Sequence, residues 1–190
     1  CDLAIDAEWH KQYPFEKGAY VRTIQVGYDK NSAAVYLLNN VNGKPVFRPN
    51  QKSAVSSIKK LFKSTPKRKM RMVMHFGRAD LPWIKNLGFD VTPHMRPPTD
   101  TPDTPGFIRY QTDGGWDTGL AAHAINETDE YKLELQCARY CNMYRWDGEL
   151  HEWRENYCSE NKLKAEELEG YGPCPDEILI PYGAKDAIGT

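Results

Sequence analysis

The sequence predicts an α/β domain in which helices pack on one mixed sheet. Three observations lead to this prediction. Short apolar runs typical of buried strands dominate the first half of the chain. A segment with helical periodicity separates two of these runs, as expected for a crossover connection, and helical patterns then fill the second half. We find no internal repeat and no linker, so we expect residues 1–190 to form a single domain.

The strands are predicted from apolar runs and alternating residues. Residues 2–6 (DLAID) form a short apolar run that ends in acids, and residues 70–75 (MRMVMH) form a second one. Residues 19–29 and 33–38 are rich in β-branched and aromatic residues, and a short turn lies between them. This arrangement predicts a β-hairpin.

The helices are predicted from apolar residues at helical spacing. The first two cover residues 51–63 and 79–87, and the second is expected to stop at Gly88. Residues 92–106 are rich in proline and lack periodicity, which predicts a long surface loop over 92–116. Further helices are predicted at 117–125, 131–143, 150–168 and from 176 to the end.

Composition describes an ordinary globular protein. Hydrophobic residues make up 40% of the 190 residues and charged residues 27%, and the net charge is −1. This charge argues against binding of nucleic acid through a general basic field, although an acidic nuclease site remains compatible with it. Five cysteines, an odd number, predict a reducing, intracellular (cytoplasmic) location. No apolar run has the length of a membrane span, so we expect no membrane contact.

Acidic residues at the ends of the predicted elements are the first candidates for a functional site. Asp6 and Glu8 are separated by one residue, and residues i and i+2 of a strand point to the same face. Two carboxylates held side by side repel each other unless a cation lies between them. Taken alone, the pair is better explained as two ordinary acids at a solvated strand end.

Three further residues have the same ambiguity. Asp80 follows the second buried strand, where an acid at a helix start is common. Tyr182 and Asp186 are four residues apart and therefore share a helix face. The four acids together form a stronger pattern. Carboxylate oxygens suit hard divalent cations, and two such ions about 4 Å apart can activate water and stabilise the leaving oxygen of a phosphodiester.

The order D-x-E, H-x-x-x-x-D and Y-x-x-x-D resembles the three exonuclease motifs of the DEDD (DnaQ-like) superfamily, in its tyrosine branch. The segments WDTGLAAHAIN and YKLELQCARYC are also similar to the proofreading domains of family A DNA polymerases. The resemblance covers nearly the whole chain. It implies a ribonuclease H-like fold with a five-stranded mixed sheet flanked by helices, and a 3′–5′ exonuclease.

The resemblance also implies roles for individual residues. Asp6, Glu8, Asp80 and Asp186 would bind two ions, Mg²⁺ or Mn²⁺, with Asp6 bridging both. Asp80 would hold its ion through water, and Tyr182 would orient the attacking water. The substrate would be a single-stranded DNA 3′ end, and a polymerase domain would follow in the same chain.

Substrate contacts are predicted less directly. Phe76 stands where the family usually has an asparagine that contacts the substrate or orders the site. Trp9 and His10 follow the first acids and would stack on terminal bases or, equally, cover the sheet. The loop 92–116 is longer than expected and would shape the groove or contact another domain. We expect His75 to be structural.

Other patterns and activities remain as alternatives. The basic run from Lys59 to Arg71 is interpreted as a solvated turn rather than a phosphate site. Cys137, Cys141, Cys158 and Cys174 are interpreted as free thiols rather than zinc ligands, because their spacing is not that of zinc sites. The alternative functions are a free-standing exonuclease that trims RNA, like ribonuclease D, and a degenerate nuclease fold that only binds nucleic acid or a partner.

Overall fold

The computed structural model describes residues 2–41, 44–47, 56–58, 60, 71–89, 116–128 and 130–190. Within these ranges six strands form one sheet in the order β4-β3-β2-β1-β5-β6. The strands are β1 (Asp2–His10), β2 (Tyr20–Asp29), β3 (Ser32–Val41), β4 (Lys44–Phe47), β5 (Arg71–Met74) and β6 (Trp116–Asp117).

The sheet is mixed, as predicted. The pairs β1–β2, β2–β3 and β3–β4 are antiparallel, whereas β5 runs parallel to β1 and β6 parallel to β5. Five of the strands have four or more residues and the sixth, β6, has two. The predicted hairpin is confirmed as β2 and β3.

Strand β1 is longer than predicted. The sequence placed its end at Asp6, but pairing with β2 continues to His10 through an irregularity between Glu8 and Trp9. The buried Ala7 and the partly buried Trp9 maintain the alternation that holds this extension against the core. Asp6 and Glu8 therefore lie inside a strand rather than at its end.

Within the described ranges, five helices of six residues or more accompany the sheet: α1 (Leu81–Asn86), α2 (Thr118–Ile125), α3 (Leu133–Tyr140), α4 (Gly148–Asn161) and α5 (Asp176–Gly189). Helix α1 is followed by Gly88 at φ 83°, a conformation that glycine adopts at little cost. The helix predicted for 150–168 ends earlier, because Lys162 turns into the left-handed region at φ 55°. A short 3₁₀ helix, Ala165–Glu167, follows.

The main core lies in the sheet and beneath α1. It includes Ile5, Ile24, Met72 and Ile84, each at most 1% exposed. Helix α5 crosses β1, β2 and β3, so the residues of its buried face lie directly over the acidic stretch of β1. No helix within the described ranges combines the length and apolar character needed to cross a membrane.

Several predictions fall on residues outside the described ranges. They include the loop 92–116 apart from Trp116, and most of the basic run between Lys59 and Arg71. Of the predicted helix 51–63, residues 56–58 and 60 are described and are helical.

Candidate active site

Three of the predicted acids converge where α5 crosses β1. Asp6 and Glu8 project from the same face of β1, and α5 brings Asp186 to them from above. One carboxylate oxygen of each lies within 4.8 Å of the other two. Glu8 and Asp186 are buried and Asp6 is partly buried. Within the described ranges, this is the one group of three or more His, Cys, Asp or Glu side chains with metal-binding spacing.

The fourth acid, Asp80, lies beside this cluster rather than in it. Asp80 immediately precedes α1 and is 4% exposed. Its Oδ1 accepts a hydrogen bond from the backbone N–H of Ala7 at 3.2 Å, which fixes it against the residue between Asp6 and Glu8. Its charge is close enough to raise the pKa of Asp6. The structure thus gathers all four acids, with three of them in direct proximity.

Burial and mutual repulsion make these carboxyl groups hard to ionise. Burial, followed by the charges of the other acids, raises the pKa of Asp6 and of Glu8 well above their ordinary values. Burial also raises the pKa of Asp80 to about 8 and that of Asp186 to about 6. For Asp186, the hydrogen bond from Trp146 and then the nearby Tyr182 hydroxyl lower the pKa and so act in the opposite direction.

The donor set fits a hard divalent cation. Among the described residues no lysine, arginine or histidine forms an ion pair with Asp6, Glu8, Asp80 or Asp186. The Oδ2 atom of Asp6 is enclosed and has no hydrogen-bond partner in the described structure. Buried polar atoms are almost always satisfied, so this oxygen and the uncompensated charge both indicate a cation-binding role.

This electrostatic arrangement gives a pH-dependent stability. In the unfolded chain these carboxyl groups have pKa values of ~4 and lose their protons above that pH. In the folded, metal-free protein the same groups keep their protons to a higher pH. The unfolding free energy therefore falls as pH rises from about 4 to about 8.

We expect the melting temperature in EDTA to decrease across this pH window, and we expect saturating Mn²⁺ to make that decrease smaller. Thermal melts of wild type and Asp80→Asn test this: the variant should show a flatter slope. A melting temperature in EDTA that rises with pH would contradict the assignment of raised pKa values.

Two aromatic residues complete the surroundings of Asp186. Trp146 Nε1 donates a hydrogen bond of 2.6 Å to Asp186 Oδ1. Tyr182 lies one helical turn before Asp186, and its side chain helps to lower the pKa of that carboxyl group. The ring of Tyr171 lies 6.1 Å from that of Tyr182. Burial, then the charge of Glu8, raises the pKa of Tyr182 far above its ordinary value, so this phenol stays protonated and serves as a donor.

An open cleft of about 780 Å³ lies beside Tyr182, one helical turn from Asp186, and none of the four acids is among the described residues that line it. Both Tyr171 and Tyr182 line it, and so does the predicted substrate residue Phe76. The other side chains that line it include both charged and aromatic groups: His75, Glu130, Tyr131, Lys132, Glu134, Arg145, Asp147, His151 and Arg154.

Phe76 is held rigidly at the cleft wall. Its backbone adopts φ 51°, and its N–H donates to Asp117 Oδ1 at 3.0 Å. Asp117 Oδ2 accepts from the next N–H, that of Gly77, at 2.9 Å. His75 hydrogen-bonds through both ring nitrogens, to Thr118 Oγ1 at 2.9 Å and to the carbonyl of Tyr131 at 2.7 Å. These bonds give His75 the structural position that was expected.

Trp9 and His10 lie away from the cleft lining. Trp9 stacks on Trp83, with ring centroids 5.2 Å apart, and packs against the core. His10 lies beside Tyr20 and against Gly172. Both positions match the alternative that these residues cover the sheet, and base stacking by them remains only a prediction.

The cysteines do not approach one another as a ligand set within the described residues. Cys137, Cys158 and Cys174 are buried and Cys141 is exposed, all as free thiols. Cys137 contacts the carbonyl of Gly189, with its sulfur 3.3 Å from that oxygen.

Sequence reasoning did not single out Trp146 or Tyr171, and it noted Asp117 only as part of the segment WDTGLAAHAIN. Asp117 carried a usable signal, because an aspartate followed by threonine before an apolar run is typical of a helix N-cap, and its side chain does accept from Leu120 N–H. Trp146 gave no such signal, because a hydrogen bond between residues 40 positions apart leaves no periodic pattern in the sequence.

Comparison with known proteins identifies the family of the chain. A family model of 3′–5′ exonucleases, defined on family A DNA polymerases, matches residues 2–190. The chain is 32% identical to the DNA polymerase of Escherichia phage T5 over 75 residues, which are 39% of this chain and 9% of that polymerase.

One solved structure supports the fold. An apo nuclease structure has a TM-score of 0.56 at 14% identity and covers 98% of this chain and 66% of its own, a similarity that bears on the fold alone. Brucella melitensis NrnC with bound Mg²⁺ has a TM-score of 0.48 at 20% identity, over 76% of this chain and 55% of its own, which is too low to support a conclusion. The ribonuclease H-like fold is confirmed, and the chain belongs to the 3′–5′ exonuclease family of family A DNA polymerases.

Proposed function

We propose that this 3′–5′ exonuclease uses Mg²⁺ or Mn²⁺, two ions per site, to remove nucleotides from single-stranded or mismatched DNA 3′ ends. The observation that carries the proposal is the convergence of Asp6, Glu8 and Asp186, whose oxygens lie within 4.8 Å of one another without a cationic side chain paired to them in the described structure. Hard divalent cations prefer such oxygen ligands.

Divalent cations bound there would activate water and stabilise the leaving oxygen of the phosphodiester. Asp6, Glu8 and Asp186 would be the direct ligands, which accounts for their proximity. Asp80 would act through water, because it lies outside the three-acid cluster and its Oδ1 is already engaged by Ala7 N–H. That hydrogen bond would hold Asp80 in place beside the site.

Tyr182 would orient the attacking water by donating a hydrogen bond. Its raised pKa excludes it as a general base at neutral pH. Trp146 would hold Asp186 in one rotamer through its 2.6 Å hydrogen bond, leaving the second carboxylate oxygen for a cation.

The cleft beside Tyr182 supplies space for the end of a strand. Its aromatic side chains, among them Phe76 and Tyr131, offer surfaces on which bases stack, and Arg145, Arg154 and Lys132 offer positive charge for phosphates. A duplex end does not present its terminal base to such a cleft until the pair opens. The similarity to a phage DNA polymerase supports DNA as the substrate and a polymerase domain in the same chain as the partner.

Substrate preference tests this function. Unpairing the terminal base costs a few kcal/mol, and a mismatch has already lost most of that energy. We expect a mismatched or single-stranded 3′ end to be trimmed on the order of 10-fold faster than a paired end, measured with duplexes that differ only at the last pair.

The same assay includes matched DNA and RNA oligonucleotides, labelled at either end. Faster trimming of RNA than of DNA would indicate that the protein processes RNA and does not proofread DNA. Release of nucleotides from the 5′ end, or equal rates on paired and mismatched ends, would contradict the proposal. Binding of both oligonucleotides without cleavage would identify a non-catalytic module.

A further inference from the structure

The strand beside β1 presents an unusual face to helix α5. Thr23, Gln25 and Gly27 alternate along β2 and therefore point to one side. Gln25 pairs with Asp6 in the register of the two strands, and Thr23 pairs with Glu8. Directly opposed residues of antiparallel strands project to the same face. Two polar side chains thus stand next to the two acids of β1.

These two polar side chains are completely buried. Thr23 and Gln25 are both 0% exposed. Gln25 Nε2 donates a hydrogen bond of 2.8 Å to Thr23 Oγ1, whereas Gln25 Oε1 has no hydrogen-bond partner in the described part of the chain. An unsatisfied buried amide oxygen is unfavourable, and an apolar side chain of the same length would avoid it. Packing alone therefore does not account for a glutamine here.

Helix α5 rests on this side chain at a glycine. A Cβ atom built on Gly183 would lie 2.0 Å from Gln25 Nε2, so a larger residue would push the helix or the amide away. On the same face of β2, a Cβ atom on Gly27 would lie 2.4 Å from the carbonyl oxygen of Ala187. Gly183 and Ala187 flank Asp186 in the helix. The distance between α5 and β2 is therefore fixed on both sides of that carboxylate.

We propose that Gln25, held by Thr23 and covered by Gly183, is a positioning residue that sets the height of α5 above β1. Through this height it determines how far Asp186 and Tyr182 stand from Asp6 and Glu8. The inference rests on the proposed function, because it concerns the spacing of the proposed metal ligands. Gln25 itself has no assigned contact with a cation or a substrate.

Mn²⁺ affinity depends on this spacing and can be measured without relying on activity. The protein is titrated with Mn²⁺, and the free ion is quantified by electron paramagnetic resonance. The full chain is compared with Gly183→Ala, Gln25→Ala and the double variant, all well below their melting temperatures. We expect Gly183→Ala to weaken Mn²⁺ binding on the order of 10-fold and Gln25→Ala to weaken it several-fold. In the double variant the new methyl group occupies space that the amide has left. Its binding should therefore be no weaker than that of Gln25→Ala, which is a non-additive result.

Gly148→Ala is the matched control. A Cβ atom at Gly148 would have nothing within 4 Å, so this helical glycine can be replaced without a collision. We expect wild-type Mn²⁺ binding from it. A purely structural role for Gln25 and Gly183 would lower the melting temperature in EDTA and leave Mn²⁺ affinity unchanged in the folded variants.

The outcomes separate this inference from the proposed function. If the wild type binds Mn²⁺ and both single variants bind it equally well, the positioning role is overturned and the proposed function stands. If Gly183→Ala does not fold, Gln25→Ala decides alone, and wild-type affinity in that variant overturns the inference. If the wild type itself does not bind Mn²⁺, both are overturned.

Discussion

Replacing Asp6 by asparagine is expected to abolish exonuclease activity while making the metal-free protein more stable. Asp6 belongs to the three-acid cluster, and its enclosed Oδ2 has no partner in the described structure. Loss of a side chain that would serve both proposed ions should lower the rate at least about 1000-fold, equivalent to about 4 kcal/mol of transition-state stabilisation. The measurement is single-turnover release of 3′ nucleotides at saturating Mn²⁺.

The stability readout makes this prediction specific. Like-charge repulsion and burial raise the pKa of Asp6, so removing its charge relieves an unfavourable interaction. The melting temperature of Asp6→Asn in EDTA at neutral pH should therefore exceed that of wild type. Asp29→Asn, at an exposed acid on the far end of β2, is the control and should change neither quantity. A rate for Asp6→Asn near that of wild type would remove Asp6 from the site.

Replacing Tyr182 by phenylalanine is expected to lower the rate without weakening metal binding. The variant keeps the partly buried ring and its packing near Tyr171, and it removes only the hydroxyl group. The loss should match that of one well-placed catalytic hydrogen bond, on the order of 10- to 1000-fold. Single-turnover kinetics with a Mn²⁺ titration give both quantities.

Asp186→Ala provides the contrast for Tyr182. Asp186 lies in the acid cluster, so its loss should raise the half-saturating Mn²⁺ concentration as well as lower the rate. A Tyr182→Phe protein that cuts as fast as wild type would make Tyr182 a packed helix residue, and the water would need another donor. A shift in Mn²⁺ affinity for Tyr182→Phe would instead indicate that its hydroxyl mainly orients Asp186.

The acids could be predicted from the sequence because local rules determine where they point. The i, i+2 spacing of Asp6 and Glu8 places both on one face whether β1 ends at Asp6, as predicted, or at His10, as found. The spacing of Tyr182 and Asp186 works in the same way on α5. Errors in element boundaries therefore did not affect this part of the prediction.

Contacts between distant elements could not be predicted in this way. The hydrogen bond from Trp146 to Asp186 and the packing of Gly183 on Gln25 depend on how α5 lies on the sheet. Trp9 illustrates the same limit, since an aromatic residue after a strand acid suits base stacking and core packing equally well. The stacking of Trp9 on Trp83, which places Trp9 against the core, is visible in the structure and not in the sequence.

Restoration of activity by metal tests the central claim most directly. The protein is stripped with EDTA, and a single-stranded DNA labelled at its 5′ end is incubated with it before and after addition of Mg²⁺ or Mn²⁺. We predict no cleavage in EDTA and, after addition of the ion, a ladder of products shortened stepwise from the 3′ end. Asp6→Asn should give no ladder under either condition. Stepwise 3′ trimming by the stripped protein, or by Asp6→Asn at the wild-type rate, would contradict a cation-dependent site built on Asp6, Glu8 and Asp186.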